Sequence, residues 1–455
     1  MSLSPLSVTD IGRRDFIRRG SALATLALAA PHVALSSASV RPRNIVTGRR
    51  LRIAQIGIGN KGYVDVMACA ALGEQIVAVC DVDAARVGRA GFNAFQVLLG
   101  AARYRDYRQM LTEMDDRIDA VVISTPDHTH FPVAMMALER GKHVYVQKPL
   151  THTIGEARLL KAAAAKAGVV TQMGNQGHAF EGARLVKEWI DAGLIGMVRE
   201  VLTWTDRPTW PAEAFLPVPH AVPPTLDWNR WIGTGPYREY SPAIAPWNWR
   251  VWWDYGSGGL GDLGCHLMDA PFWTLNLRGP MKVSARSEGC TEANVPKSSV
   301  VTYEFPARGG LPPVTYTWHD GGMLPPKPEE LGDQPMPKTA TLYRGDKGAL
   351  LSEGDYNQTV RLLPESRMKA FVERPPKVIP RAPGNDPYRE WIMACKGGPL
   401  PGSNIVDHAA DLTEIVLVGN LAIRLGQTIQ WDPVAMACVG VPRANSYIHA
   451  KYRHF

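Results

Sequence analysis

Three polar residues suited to catalysis or metal binding recur at helical spacing near the middle of the chain. Asp262, His266 and Asp269 stand at positions i, i+4 and i+7, directly after the glycine-rich loop 256–261. Residues at this spacing share one helix face, so we expect the three side chains to converge. Carboxylates and imidazole can bind Zn or Mn, serve acid–base chemistry, or act as a helix cap beside a buried histidine. Because the sequence offers no further ligand cluster, we expect no metal and favour acid–base chemistry.

The upstream stretch 51–83 has the pattern strand, glycine turn, helix, strand, with an acid closing the second strand. The turn has the spacing G-x-G-x-x-G, which lets the backbone approach a pyrophosphate at a helix N-terminus. The residues assigned to this turn are Gly57, Gly59, Asn60, Lys61 and Gly62. Asp81 can accept hydrogen bonds from a ribose diol, and no basic residue directly follows it. The sequence therefore predicts a dinucleotide site that favours NAD over NADP.

Helical and β-rich runs continue to alternate up to about residue 170, which predicts a doubly wound parallel sheet with ligands at the carboxyl ends of its strands. Two such ends carry Thr125-Pro126 and Lys148-Pro149, which we assign to the cofactor side. His128 and His130 follow the first of them. Helix capping and packing are the favoured interpretation for both histidines. A place on the cofactor side is the alternative for both, and His130 is the one we assign to cofactor contact.

Tryptophan is concentrated in one part of the chain, since eight of the 13 Trp residues fall between residues 204 and 253. Aromatic faces suit the C–H faces of sugar rings, and nearby polar groups can bind hydroxyls. The residues assigned to a substrate cleft are Arg207, Asn248, Arg250, Trp252 and Tyr255. The alternative is a Trp-rich loop packed over a sheet, a role that some of these residues must have.

Composition is that of a globular protein long enough for two domains, with 455 residues and 45% hydrophobic residues. The formal charge of +7 includes no long basic run, so we expect no nucleic-acid partner. The six cysteines form no C-x-x-C pair. Cys69, Cys80 and Cys265 sit in apolar patterns, so buried free thiols are expected rather than a disulfide framework.

The N-terminus has the form of a twin-arginine export signal. Arg13-Arg14 is followed by Phe16 and then by the short apolar stretch 21–30, which is too short to span a bilayer. We expect a signal peptide over residues 1–38, an extended arm over 39–50, the twin-arginine translocase as partner, no stable membrane anchor and a periplasmic or exported protein. A soluble basic N-terminus is the alternative.

These motifs resemble those of the Gfo/Idh/MocA oxidoreductases, which include glucose-fructose oxidoreductase and inositol dehydrogenase. The resemblance rests on the glycine turn, on Asp81, on Ser124–His130 and on the run 141–149, where Gln147 replaces the Glu usual in the family's Glu-Lys-Pro. It implies an NAD-binding Rossmann domain over residues 51–170. It also implies a substrate-binding α/β domain over residues 171–455 with an open, mostly antiparallel sheet. A homo-oligomer is expected by the same resemblance.

The family's Asp-x-x-x-His signature matches Asp262 and His266. We expect His266 to act as acid or base, Lys148 to stabilise the alkoxide and relay a proton, and Asp262 to bind a substrate hydroxyl or orient His266. The expected function is NAD-dependent oxidation of a sugar, polyol or glycoside carbinol with a tightly bound cofactor. A redox-neutral glycosidase that oxidises, eliminates, hydrates and reduces is the alternative, and a non-catalytic sugar-binding protein is a third possibility.

Overall fold

The computed structural model describes residues 45–89 and 96–455. The predicted signal peptide and most of the predicted arm lie outside the described residues. The helical pattern of the sequence also predicts a helix over residues 84–99. The structure describes its first part as helix Ala84–Arg89, and residues 90–95 lie outside the described residues. Among the described residues, no helix has both the length and the apolar character needed to cross a bilayer.

The N-terminal half forms a six-stranded sheet in the order β3-β2-β1-β4-β5-β6, and all its paired strands are parallel. The strands are β1 (Arg52–Ile56), β2 (Gln75–Cys80), β3 (Ala102–Tyr104), β4 (Ala120–Ile123), β5 (His143–Val146) and β6 (Thr171–Met173). The switch point between β1 and β4 opens a crevice at the carboxyl ends of the strands. The sequence predicts a short connection at residues 104–106, whereas Tyr104 ends strand β3 in the structure. The strand was missed because three residues are too few to show an alternating pattern.

The helices of this half alternate with its strands. They are α1 (Lys61–Ala71), α2 (Ala84–Arg89), α3 (Tyr107–Glu113), α4 (Asp127–Glu139) and α5 (Ile154–Ala167). Helix α5 begins with a reciprocal capping box between Thr153 and Glu156 and ends at Gly168 in the left-handed conformation. The predicted Rossmann architecture is confirmed.

The C-terminal half is built on a nine-stranded sheet in the order β13-β12-β11-β7-β10-β9-β8-β14-β15. Its strands are β7 (Val198–Thr205), β8 (Lys282–Glu288), β9 (Ser298–Phe305), β10 (Val314–Asp320), β11 (Thr339–Gly345), β12 (Gly348–Glu353), β13 (Thr359–Leu363), β14 (Ile429–Asp432) and β15 (Ala437–Cys438). Strands β7 and β10 pair in parallel, and the other recorded pairs are antiparallel. The prediction of a mostly antiparallel second sheet is confirmed.

Further helices are α6 (Glu181–Asp191), α7 (Trp228–Ile232), α8 (Gly258–Leu267), α9 (Asp269–Leu275), α10 (Glu365–Ala370), α11 (Pro387–Cys395), α12 (Ala410–Leu425) and α13 (Asn445–Ile448). Short 3-10 turns cover Asp115–Arg117, Gln176–Ala179, Ala212–Phe215, Asn248–Val251, Glu329–Leu331, Pro383–Asn385 and Pro442–Ala444, and a π-helical turn covers Ile405–Ala409. Helix α12 is buried along most of its length between α5, α8 and strand β8. It therefore joins the two halves of the molecule.

Between β7 and α8 the chain leaves the second sheet and returns to the Rossmann half. Leu226 forms a β-bridge with Asp83, and the N–H of Ala84 donates to the carbonyl of Thr225 at 3.0 Å. Arg105 donates to the carbonyls of Val82 and Thr225, both at 2.9 Å. We call residues 223–234 the strap, because they lie across the carboxyl end of β2.

Candidate active site

The glycine turn connects β1 to the start of α1, and its backbone is packed too closely to admit side chains at two positions. Gly57 has φ +78°, and a Cβ there would lie 2.6 Å from the carbonyl oxygen of Ser124. A Cβ on Gly62 would collide with the carbonyl oxygen of Gly57. Both positions therefore require glycine, and the turn leaves the first N–H groups of α1 facing the crevice, as a pyrophosphate needs.

Asp81 lies directly after β2 and holds the glycine turn in place. Its carboxylate accepts hydrogen bonds from the N–H of Ile58 and from the N–H of Asp83, both at 2.9 Å. Burial raises the pKa of this carboxyl group. Each oxygen retains a lone pair, so Asp81 can still accept a ribose hydroxyl where it lines the cavity. These residues fit NAD.

A cavity of about 870 Å³ extends from the glycine turn to the second domain. The predicted site residues that line it are Gly57, Gly59, Asn60, Lys61, Asp81, Thr125, Pro126, Lys148, Arg207, Arg250, Asp262 and His266. The strap and the aromatic side chains of Trp210, Trp231, Trp247 and Trp249 complete its wall. The structure thus brings the predicted nucleotide turn and the predicted acid–base residues into one cavity.

Lys148 and Asp262 form the polar centre of the cavity. Lys148 Nζ donates to the Asp262 carboxylate at 2.7 Å and to the Asp262 carbonyl at 2.9 Å. Arg250 Nε lies 3.4 Å from the same carboxylate oxygen. Burial alone would raise the pKa of Asp262, but the Lys148 and Arg250 cations hold it below its usual range. The peptide bond that follows Lys148 is cis.

His266 stands one helical turn after Asp262 on α8. Its side chain is buried, its Nδ1 has no hydrogen-bond partner among the described residues, and the ring of Tyr356 meets it edge-on at 4.9 Å. Burial and the Lys148 cation lower the pKa of His266 to about 3, so the imidazole is neutral near pH 7. No hydrogen bond joins His266 to Asp262 in the described structure. The predicted alternative role of Asp262, to orient His266, is therefore not supported by a contact.

Arg250 is held by stacking. Its guanidinium lies 4.3 Å from the ring centre of Trp247 and 4.2 Å from that of Trp249. Such an arrangement fixes a cation without fully neutralising it. Arg207, the other predicted arginine, lines the cavity while its guanidinium pairs with Asp355 at 2.6 Å.

The remaining predicted substrate residues lie behind the cavity wall. Trp252 is buried and donates to the carbonyl of Ala243 at 2.9 Å, and the Tyr255 hydroxyl donates to the carbonyl of Pro236 at 2.8 Å. Asn248 is outside the cavity lining. Within the stretch 247–253, Trp247, Trp249 and Arg250 line the cavity, and Val251, Trp252 and Trp253 are buried behind them.

Two predicted cofactor residues also lie outside the cavity lining. Gly62 packs inside the turn. His130 places its ring nitrogens 2.8 Å from the carbonyl of Thr125 and 2.7 Å from that of Pro149. It therefore ties the end of β4 to the end of β5, as expected for the favoured packing role.

Asp269 does not share a face with Asp262 and His266, because α8 ends at Leu267 and a new helix begins at Asp269. Its carboxylate instead meets His408 at 2.6 Å and His178 at 3.0 Å. These three buried residues could hold a metal ion. Asn175 adds a hydrogen bond to the same carboxylate at 2.9 Å. The short separations are those of hydrogen bonds, so the cluster is already satisfied as a polar network beneath the cavity.

Sequence reasoning missed a second buried carboxylate, Asp65 on α1. It accepts hydrogen bonds from Lys61 at 2.6 Å, Tyr388 at 2.5 Å, Ser124 at 2.5 Å and Gln147 at 2.9 Å. The unusual Gln147 thus lies beside an acid that is distant in sequence. The absence of the family's Glu at residue 147 was the only signal in the chain that pointed to such a partner.

The fold and the site together define a two-domain NAD-binding oxidoreductase. A sequence model described as an oxidoreductase family with an NAD-binding Rossmann fold matches residues 51–175, and one described as the C-terminal alpha/beta domain of that family matches residues 183–308. The chain belongs to the Gfo/Idh/MocA oxidoreductase family, and its cofactor is NAD.

Similar proteins act on, or are solved with, carbohydrates. An alpha-N-acetylgalactosaminidase of Shewanella oneidensis is 32% identical over 165 residues, which is 32% of this chain and 35% of that protein. The chain thus spans about a third of the length of the curated relatives it matches first.

Solved structures share the fold over most of the chain. The WlbA dehydrogenase of Bordetella pertussis, in complex with NADH and UDP-GlcNAcA, has a TM-score of 0.60 at 18% identity and covers 84% of this chain and 99% of its own. A levoglucosan dehydrogenase in complex with NADH and L-sorbose has a TM-score of 0.59 at 15% identity, with the same coverage.

Proposed function

We propose that the protein oxidises a carbinol of a sugar, polyol or glycoside and transfers the hydride to a tightly held NAD. The observation that carries this proposal is the placement of Lys148, Asp262 and His266 in the same cavity as the nucleotide turn. The sugar ligands of the structural relatives and the four cavity tryptophans support a carbohydrate substrate.

Bound NAD+ supplies the hydride acceptor, and the chain's own groups handle the charge and the proton. Lys148 has three N–H bonds and spends two of them on Asp262, so the third is available for the carbinol oxygen. As that oxygen becomes an alkoxide, the ammonium stabilises it. Asp262 keeps Lys148 in position.

The neutral His266 takes the hydroxyl proton. The Lys148 cation is one cause of the low pKa of His266, and a developing alkoxide neutralises part of that cation. The proton affinity of the imidazole therefore rises as the oxidation proceeds. The accepted proton is released again when the alkoxide charge disappears, as a relay requires.

The strap supports a tightly held cofactor. Residues at the adenosine end of the cavity come from the Rossmann half (Arg86, Arg105), from the strap (Arg230) and from the chain terminus (Phe455). Arg108 binds the carbonyl of Phe455 at 3.0 Å and stacks on its ring at 4.2 Å. A nucleotide at this end is covered by three parts of the chain and must wait for at least one of them to move before it leaves.

The decisive experiment replaces Lys148 by Met. We expect Lys148→Met to purify with the same NAD content as the wild type and to lose turnover by at least about 1000-fold, because the alkoxide loses its cation. Lys166→Met, on the exposed side of α5, is the matched control and should retain full activity. NAD reduction during a single turnover, measured by absorbance over a panel of free sugars, polyols and methyl glycosides, is the assay. An active Lys148→Met enzyme would reject the assignment.

A redox-neutral glycosidase is the second candidate, and the name of the Shewanella oneidensis relative favours it. Release of p-nitrophenol from p-nitrophenyl glycosides without net NADH would identify this function. Stoichiometric consumption of an acceptor sugar would identify an oxidoreductase.

Export through the twin-arginine translocase to the periplasm is also proposed, on the sequence motif alone. Replacement of Arg13 and Arg14 by Lys should retain the full-length protein in the cytoplasm. Unchanged fractionation of that variant would argue against export by this route.

A further inference from the structure

Asp127 is a carboxylate of the cavity that the oxidation step does not use. It is the first residue of α4, at the carboxyl end of β4, and its side chain lines the cavity with 5% of the residue exposed. Ser257, just before α8, donates its hydroxyl to Asp127 Oδ2 at 2.5 Å. Asp127 Oδ1 accepts no hydrogen bond from any described residue. One oxygen is thus fixed and the other is left for a ligand.

The charged groups around Asp127 come from the elements on each side of it. Lys148 follows β5, Arg250 lies in the Trp-rich stretch, and His152 lies before α5. His152 Nε2 meets the carbonyl of Gly256 at 3.1 Å, and burial lowers the pKa of this histidine, so it is neutral. Burial raises the pKa of Asp127 to about 6, although the Ser257 hydrogen bond and the Lys148 and Arg250 cations oppose the rise. A carboxyl group of this kind exchanges protons readily near neutral pH.

Asp127 is also separate from the proton path of the oxidation. No described hydrogen bond joins it to Lys148, Asp262 or His266, and it belongs to the Rossmann half, whereas Asp262 and His266 belong to α8. Oxidation of a carbinol needs a single proton acceptor, which His266 provides. A second, independent acid–base group implies a second proton transfer.

We propose that Asp127 is a general acid–base residue that exchanges a proton with the substrate at the carbon beside the newly formed carbonyl. This role rests on the proposed oxidation, since only a carbonyl makes that C–H bond acidic. The substrate class is accordingly a glycoside or sugar with a hydrogen on the carbon next to the oxidised one.

The step is balanced within the site. The Asp127 carboxylate takes the proton, the C–H electron pair forms the enolate, and Lys148 stabilises the enolate oxygen. If the next carbon carries an aglycone, the enolate expels it with its electron pair and leaves an unsaturated ketone. Water adds its hydroxyl group to that ketone and gives its other proton to the expelled aglycone oxygen, and Asp127 returns its proton to the carbon. Bound NADH would supply the hydride that restores the carbinol, and the oxygen regains a proton through the same relay. The net reaction is hydrolysis without redox change. If no leaving group is present, the proton exchanges with solvent.

The test follows deuterium from D2O into methyl glycosides of hexoses and N-acetylhexosamines incubated with the NAD-loaded enzyme. Asp127→Asn keeps an acceptor for Ser257 but cannot carry the proton. We expect this variant to lose deuterium incorporation by about 100-fold or more, while single-turnover NAD reduction changes by less than about tenfold. Unchanged incorporation would overturn the assignment, and so would an equal loss of both signals.

A second variant separates catalysis from a structural role. Ser257→Ala removes the hydrogen bond that stabilises the ionised Asp127, so the acid limb of the exchange rate should move to higher pH. If the acid limb of the exchange rate has the same pH midpoint in Ser257→Ala and wild type, Asp127 does not titrate in the exchange. A wild-type enzyme that reduces its NAD on none of the probes would overturn the proposed function, and this assignment with it.

Discussion

At the scale of single residues, the pair Asp65 and Gln147 shows how a buried charge restricts its neighbour. Asp65 is fully buried and accepts four hydrogen bonds, one of them from the Gln147 amide. A glutamate at residue 147 would place two carboxylates within about 3 Å, and both cannot remain ionised. The amide at residue 147 is therefore the consequence of an acid on α1.

We expect Gln147→Glu to lower the free energy of unfolding by about 2 kcal/mol at pH 7, with recovery as the pH falls and one carboxylate takes a proton. The double variant Asp65→Asn with Gln147→Glu exchanges the amide and the acid and should recover much of the loss. Urea unfolding of the four proteins gives the coupling energy. Additive single effects would contradict a direct interaction between the two side chains.

At the scale of elements, Glu156 joins the cap of α5 to the end of the chain. Its carboxylate accepts from the N–H groups of His152 and Thr153 at 3.1 and 3.0 Å, and from the Tyr452 hydroxyl at 2.8 Å. Burial raises the pKa of Glu156 from 4.5 to about 7 despite these bonds. The folded state thus binds this proton more tightly than the unfolded state. The contribution of Glu156 to stability is greatest below pH 4.5 and is lost as the pH rises to 7.

Glu156→Gln should remove this dependence, because the amide oxygen still accepts the backbone N–H groups and the amide N–H can donate to Tyr452. Relative to the wild type, we expect the variant to gain up to about 3 kcal/mol between pH 4.5 and 7. Glu139→Gln, at an exposed position on α4, is the control. Thermal unfolding across this pH range is the measurement. If the difference in stability between Glu156→Gln and wild type stayed constant across this pH range, Glu156 would be ionised throughout it.

The same scale shows what sequence can predict. Local periodicity and caps predict strands at 75–80, 120–123, 198–205 and 298–305 and a helix at 154–167. Strands β2, β4, β7 and β9 and helix α5 have these bounds in the structure. The break between α8 and α9 has a local cause, because the ring of Pro271 would clash with the carbonyl of Leu267 in a continuous helix. Read alone, however, 262–269 shows one helical period. It redirects Asp269 toward His408, a partner 139 positions away. The sequence shows no sign of a role for Asp127, because part of its environment, Ser257 and Arg250, comes from the second domain.

At the scale of the whole molecule, the strap and Phe455 line the same end of the cavity as Arg86 and Arg105 of the Rossmann half. This cover depends on pairing between distant segments, so the sequence could show a nucleotide turn but not the strap residues that face it. The Arg105 guanidinium joins the two parts, since it binds one carbonyl after β2 and one carbonyl of the strap. Removal of the Arg105 side chain should therefore loosen the strap and leave the contacts of Lys148 with Asp262 unchanged.

We therefore expect Arg105→Ala to release NAD at least about tenfold faster than the wild type, because two hydrogen bonds of about 1 kcal/mol each are lost. Hydride transfer within the loaded enzyme should be unchanged. Arg103→Ala is the matched control: Arg103 lies two positions upstream, and its exposed side chain makes no hydrogen bond or ion pair with any described residue. Dilution of NAD-loaded protein into a trap of excess unliganded dehydrogenase gives the release rate. Equal release from both variants would mean that the strap does not retain the cofactor, and retention would then have to come from the glycine turn and Asp81 alone.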